Sequence, residues 1–124
     1  MHLIDTHTHL FLPEFEHDRD QVVKNAIQNG VDKMLLPNVD NQTIDALLEL
    51  SKKFPENCYA MIGLHPTSVK EDYKTDLKIL ESFIDTNKFV AIGETGIDLY
   101  WDKSFFEQQI ESFVYQIDLA KKYN

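Results

Sequence analysis

Four short runs rich in aliphatic and β-branched residues, Leu3–His7, Val31–Leu36, Cys58–Leu64 and Phe89–Gly93, recur along this chain at a spacing of roughly 30 residues, the length of a βα unit. Amphipathic segments fill the intervals between them. Parallel strands joined through a helix connect right-handedly in nearly all cases, so four such units predict four neighbouring parallel strands with their helices on one side. The strand candidates are close to continuously apolar, which suits a sheet covered by helices.

The helices are predicted from apolar spacing and end signals. The first begins at Asp18, with Gln21 three residues on as a capping-box partner, and carries Val22, Val23, Ala26 and Ile27 on one face. Gly30 closes it, since glycine readily takes the left-handed conformation found just past a helix end. The second turns Ile44, Leu47, Leu48 and Phe54 inward and stops before Pro55. The third uses Leu77, Leu80 and Ile84, with Asn87 near its end. In the fourth, Ser104 and Glu107 form a second capping box ahead of a predicted buried stripe of Ile110, Phe113, Val114, Ile117 and Ala120. The expected fold class is α/β, a parallel (β/α)4 unit equal to half of a TIM-type (β/α)8 barrel, because a closed barrel takes ~250 residues and this chain has 124. No linker or low-complexity tract interrupts residues 1–124, which predicts one domain.

Composition narrows the functional classes. With 43% hydrophobic and 27% charged residues, the sequence is that of an ordinary globular protein. A formal net charge of -9 repels nucleic acid and anionic membranes on average, so a phosphodiester substrate would have to be drawn by local cations such as divalent metals. The lone Cys58 excludes an intrachain disulfide and a Cys-rich zinc site, and reads as a buried thiol. The N-terminal residues lack a basic segment followed by an unbroken apolar stretch, and no run approaches a membrane span. A cytoplasmic location without membrane contact is expected.

Chemistry gathers at the ends of the predicted strands, where parallel sheets present functional groups. The segment Asp5-Thr6-His7-Thr8-His9 sets two imidazoles two residues apart, and alternation along a strand projects both to one side, close enough to share a metal ion. A pair this short also arises by chance near a terminus. Asp5, on the same side, offers a carboxylate to fix an imidazole tautomer. Glu94, directly past the fourth strand and between Gly93 and Gly96, is either a carboxylate aimed into the ligand crevice or a solvated turn residue. His65, in Gly63-Leu64-His65-Pro66, is a substrate contact or proton shuttle, or else a loop histidine held by Pro66. Asp98 is a local hydrogen-bonding or supporting residue. Tyr100 and Trp101 either touch substrate or pack over the mouth of the sheet. His2 reads as solvated and His17 as a helix-entrance residue. No phosphate-cradling glycine loop or serine nucleophile elbow occurs, which leaves covalent catalysis without support.

Taken together, Asp5-Thr-His7-Thr-His9-Leu10, Gly63-Leu-His65-Pro66, Gly93-Glu94-Thr-Gly96-Ile-Asp98 and the helix from Phe106-Glu-Gln-Gln-Ile110 through Leu119-Ala120 resemble the TatD family of metal-dependent deoxyribonucleases, within the amidohydrolase-like barrel superfamily. The motifs run in family order across the entire chain. The resemblance implies the N-terminal half of a (β/α)8 hydrolase with two divalent ions, Zn, Mn or Mg. His7 and His9 would hold one ion and Glu94 would bridge to the second, with Glu94, His65 and Asp98 near the reaction centre. It also implies DNA or another phosphoester as substrate. The family's histidines after strands five and six and its aspartate after strand eight have no counterpart here. The implied activity therefore needs a second half-barrel, either a missing C-terminal half or a homodimer partner. Two further readings are a self-associating metal-binding half-barrel without nuclease activity, and an amidohydrolase acting on C–N or ester bonds. The glutamate at position 94 favours the nuclease branch over the latter.

Overall fold

The computed structural model describes residues 2–123. They form β1 (Leu3–Asp5), α1 (Arg19–Gln28), β2 (Val31–Pro37), α2 (Ile44–Lys53), β3 (Cys58–Ile62), α3 (Tyr73–Ile84), β4 (Ala91–Ile92) and α4 (Phe106–Lys122). The sheet is wholly parallel in the order β1-β2-β3-β4, with Ile4 beside Lys33, Leu36 beside Ala60 and Ile62 beside Ile92. This is the expected (β/α)4 half-barrel. No helix among the described residues is long and apolar enough to cross a membrane.

The helices cover one face only. Along β3, Cys58, Ala60 and Ile62 are buried while Tyr59 and Met61 are half-buried, and along β2 Met34 and Leu36 are buried while Lys33 is exposed. The buried set packs in two clusters. One joins Val23, Met34, Leu36, Leu47 and Leu50, and the other joins Ile44, Ile62, Leu64, Tyr73, Leu77 and Leu80. Alternation replaces the continuous burial that the apolar runs suggest, because four strands do not close on themselves and the face away from the helices stays open. At the two sheet edges Ile4 is 58% and Val90 55% exposed.

Element ends depart from the sequence reading. β1 stops at Asp5 rather than His7, and β4 is only two residues long. Neither capping box forms. Asp18 makes no side-chain cap bond, and Gln21 instead donates to Asn25 Oδ1 at 2.8 Å. Ser104 gives its backbone N–H to Asp102 Oδ1 at 2.8 Å, and α4 starts two residues later. Gly30 does close α1, at φ 89°. The buried face of α4 is Gln109, Ser112, Gln116 and Leu119, whereas Val114, Ile117 and Ala120 are exposed and Ile110 and Phe113 half-buried. Polar side chains take the interior positions because the main chains of two loops lie there and must be hydrogen-bonded.

The C-terminal ends of β2, β3 and β4 meet at Asn38, whose side chain is fully buried. Its N–H is shared between the Met61 and Gly93 carbonyls at 3.2 and 3.1 Å, and its carbonyl accepts the Glu94 N–H at 3.0 Å. The carboxamide donates to the Gly63 and Asp40 carbonyls, both at 2.9 Å, and accepts from Thr43 Oγ1 at 2.9 Å. β3 and β4 come so close here that a Cβ on Gly63 would stand 2.6 Å from Gly93 C and 2.7 Å from Glu94 O. Only glycine fits, since backbone cannot yield as a flexible side chain would. Gly63→Ala is expected to destabilise the chain by about 2–3 kcal/mol. Urea unfolding should show it as a lower midpoint at unchanged slope.

α4 is tied to α3 by the Tyr115 hydroxyl, which donates to Glu81 Oε2, by Lys122 Nζ at 2.9 Å from Glu81 Oε1, and by the Tyr73 hydroxyl, which donates to Glu111. The Glu81 carboxylate pushes Tyr115 from its ordinary value of 10 up to about 12, and the same hydrogen bond holds Glu81 below the usual carboxylate range. Tyr115 thus binds its proton more tightly in the folded chain. Its stabilisation is complete below pH 10 and is lost as pH rises toward 12. Tyr115→Phe is expected to flatten that alkaline loss of stability when urea unfolding is followed across the same interval.

Candidate metal centre

β1 ends before the two histidines, so strand alternation is not what sets them. Thr8, between them, donates its N–H to the Leu35 carbonyl at 3.1 Å and pins the segment on β2. Asp5 Oδ1 accepts the His7 backbone N–H at 3.0 Å, a main-chain role in place of the expected hold on an imidazole. Arg19, the chain's single arginine, donates to the carbonyls of Leu10, Phe11 and Leu12 at 2.7, 2.8 and 3.0 Å and fixes the stretch beyond His9. The two rings meet edge to face with their Nε2 atoms 3.1 Å apart, and His9 packs on buried Phe11.

Glu94 enters the cluster from β4. Its Oε2 lies 2.9 Å from His7 Nε2 and 3.3 Å from His9 Nε2, and its Oε1 lies 3.1 Å from His65 Nε2. His65 Nδ1 accepts the Thr67 N–H at 3.1 Å, capping the short 3-10 turn Pro66–Ser68. In the neutral tautomer that this bond fixes, the ring proton sits on Nε2, the nitrogen that lies 3.1 Å from Glu94 Oε1. The two carboxylate oxygens have separate duties. One faces His65 Nε2 and the other faces two imidazole nitrogens.

Glu94 Oε2 and His9 Nδ1 are buried without a hydrogen-bond partner of ordinary geometry, the Pro37 carbonyl only lying near the His9 ring. Two imidazole nitrogens and a carboxylate oxygen converge, and no N–H is placed on that oxygen, an arrangement that an intervening cation satisfies. Ligand atoms around a tetrahedral ion stand roughly 3.4 Å apart at the usual imidazole and carboxylate bond lengths. The separations of 2.9–3.3 Å here are close to that. Among the described residues, His7, His9 and Glu94 are the group able to hold a metal ion. Burial lowers His9 below the ordinary imidazole range against the opposing pull of Glu94, which keeps the ring neutral and its lone pair free at neutral pH.

Asp98 takes no part in these contacts. Its Oδ1 accepts the Tyr100 N–H at 2.9 Å, while its main chain pairs with Gln109. Tyr100 and Trp101 are 82% and 78% exposed and touch edge to face. His2 pairs with Asp32, and His17 lies exposed in the turn before α1. Of Asn38, Thr67, Gln109 and Gln116, which hold the cluster without entering it, the first two lie outside the motifs quoted above, and the two glutamines lie within the α4 motif without a role assigned to them there. Their one signal is a polar side chain where a strand end or a helical stripe calls for an apolar one.

The family profile described as TatD related DNase matches residues 4–124. The uncharacterized metal-dependent hydrolase YabD of Bacillus subtilis (strain 168) is 35% identical over 122 residues, which cover 98% of this chain and 48% of YabD. The 3'-5' ssDNA/RNA exonuclease TatD of Erwinia tasmaniensis is 31% identical over 118 residues, covering 95% of this chain and 46% of that protein. The crystal structure of YjjV, a TatD homologue from Escherichia coli K12, superposes with a TM-score of 0.88 at 33% identity, covering 98% of this chain and 47% of that one. The chain thus spans about half the length of the relatives it matches. With a parallel half-barrel, a His-His-Glu cluster at its C-terminal end and relatives that share both fold and sequence, this chain belongs to the TatD-related DNase family of metal-dependent hydrolases.

Proposed function

We propose that this chain supplies the metal-binding half of a phosphodiesterase acting on single-stranded nucleic acid. The observation that carries this reading is the convergence of His7 Nε2, His9 Nε2 and the unpartnered Glu94 Oε2 at the strand ends where parallel sheets hold ligands. In this reading His7, His9 and Glu94 ligate a divalent ion, Zn, Mn or Mg. The bound ion supplies Lewis acidity toward a phosphoryl oxygen and an activated water. His65, beside Oε1, orients Glu94 with Oε2 toward the ion, and Asp98 shapes the loop beyond Glu94. A second ion would have to lean on Oε1, the oxygen that faces His65 Nε2, and its other ligands would come from outside this chain.

Nucleic acid as the substrate is supported by the exonuclease activity for which the Erwinia relative is named. With a net charge of -9 and the single arginine committed to main-chain carbonyls, the ion is the main attraction for a phosphate. The open edges at β1 and β4 call for a second half-barrel to complete the site. A complementary half suits them better than a second copy, which would double the acidic charge and set two copies of Glu94 at one mouth.

Native mass spectrometry after equilibration with Mn2+ or Zn2+ is expected to show one ion per chain, lost in the His7→Ala/His9→Ala double variant. Mixed with the C-terminal half of the YjjV barrel, the chain is expected to shorten a labelled single-stranded oligonucleotide, and Glu94→Gln to abolish that cleavage. Metal uptake indifferent to the double substitution would overturn the ligand assignment. Turnover of amide or ester substrates in place of oligonucleotide would move the activity to the C–N and ester class.

A further inference from the structure

We infer that Gln109 and Gln116 of α4 are positioning residues of the metal centre, each holding one site loop by pairing its carboxamide with the main chain of a single residue, with His65 and Glu94 taken, as proposed above, to belong to that site. Gln116 Oε1 accepts the Leu64 N–H at 2.9 Å, and its Nε2 donates to the Leu64 carbonyl at 3.2 Å. Gln109 repeats the arrangement on Asp98, at 2.8 and 3.0 Å. Leu64 immediately precedes His65, and Asp98 ends the segment that Glu94 begins. Seven residues apart, the two glutamines share a helix face about 10.5 Å apart along its axis. One rigid helix therefore spaces the two loops whose side chains meet where His65 Nε2 lies 3.1 Å from Glu94 Oε1.

Burial makes that spacing strict. Gln109 is 3% and Gln116 2% exposed, and a buried amide is tolerated only when it is bonded. Gln116 spends its remaining amide hydrogen on Ser112 Oγ at 3.1 Å. A methionine of similar volume would still pack α4 against the sheet, but it would leave the Leu64 N–H and carbonyl unpaired. Two bonds to one residue, one to the peptide unit on either side of its Cα, fix both its place and its orientation, which an apolar contact cannot do. α4 can serve as this frame because Tyr115 and Tyr73 tie it to α3 through Glu81 and Glu111.

The test compares Gln116→Met and Gln109→Met with Leu119→Ala, a control on the same buried face whose side chain makes no polar contact. In the metal-free chain, 15N shifts of the His65 ring report which ring nitrogen carries the proton. The wild type is expected to hold the Nε2–H form and Gln116→Met to average both forms, with Leu119→Ala matching the wild type despite its lowered melting temperature. In Mn2+ titrations, both glutamine variants are expected to bind about tenfold more weakly, and the control to change by about twofold at most. Unchanged His65 shifts and Mn2+ affinity in the glutamine variants, or equal changes in Leu119→Ala, would reduce the glutamines to helix packing and overturn the inference. If the wild type takes up no Mn2+, the ligand assignment fails, and the tautomer comparison still decides the positioning role. Gln116→Glu, which keeps the acceptor and loses the donor, replaces Gln116→Met if that variant does not fold.

Discussion

Asn38, through its main chain together with its buried carboxamide, is the contact on which the site depends. Strand ladders end where their loops begin, and peptide groups at that boundary are orphaned unless something else bonds them. Asn38 bonds to the main chains of Met61, Gly63, Gly93 and Glu94 from a single residue at the end of β2. That convergence draws β3 and β4 close enough to exclude any side chain at Gly63, and it puts Glu94 opposite the histidines that follow β1. β4 alone, with two residues of ladder, could not aim a carboxylate. The asparagine supplies the rigidity that the short strand lacks.

A second polar frame stands behind the first. The interior face of α4 grips the loops after β3 and β4, while Arg19 at the start of α1 grips the loop after β1. Each loop bearing a cluster residue is thereby held at its main chain by a side chain of a neighbouring element. Buried polar groups of this kind contribute little net stability, but they admit few alternative geometries. What they hold is an arrangement with a localised electrostatic deficit, two imidazole nitrogens around one unbonded carboxylate oxygen. In a chain of net charge -9, a small multivalent cation is the group suited to that deficit.

Much of the architecture is legible in the residues. Apolar runs near the right interval are enough to count βα units, and the handedness of parallel connections leaves one strand order, the one observed. His7, His9, His65 and Glu94 stand out because reactive side chains directly past apolar strands have few structural reasons to be there. The details that escape such a reading all turn on main-chain demand. The apolar count favoured Ile110, Val114 and Ile117 for the interior of α4, yet hydrophobic spacing is blind to the unpaired peptides at Leu64 and Asp98 that glutamines must satisfy. Asp5 bonds a backbone N–H and not a ring for the same reason, and so ends β1 early.

By itself, the sequence determined the class of fold, the number and order of the strands, and the residue types available for chemistry, because hydrophobic periodicity and chain chirality act locally and at every unit alike. Only the tertiary structure decided which oxygen of Glu94 faces His65, which face of α4 is buried, and how closely three loops from distant parts of the chain approach. Those outcomes depend on hydrogen bonds between residues 25 to 52 positions apart, such as Asn38 to Gly63 and Leu64 to Gln116. Their geometry exists only once the sheet and its helices have packed.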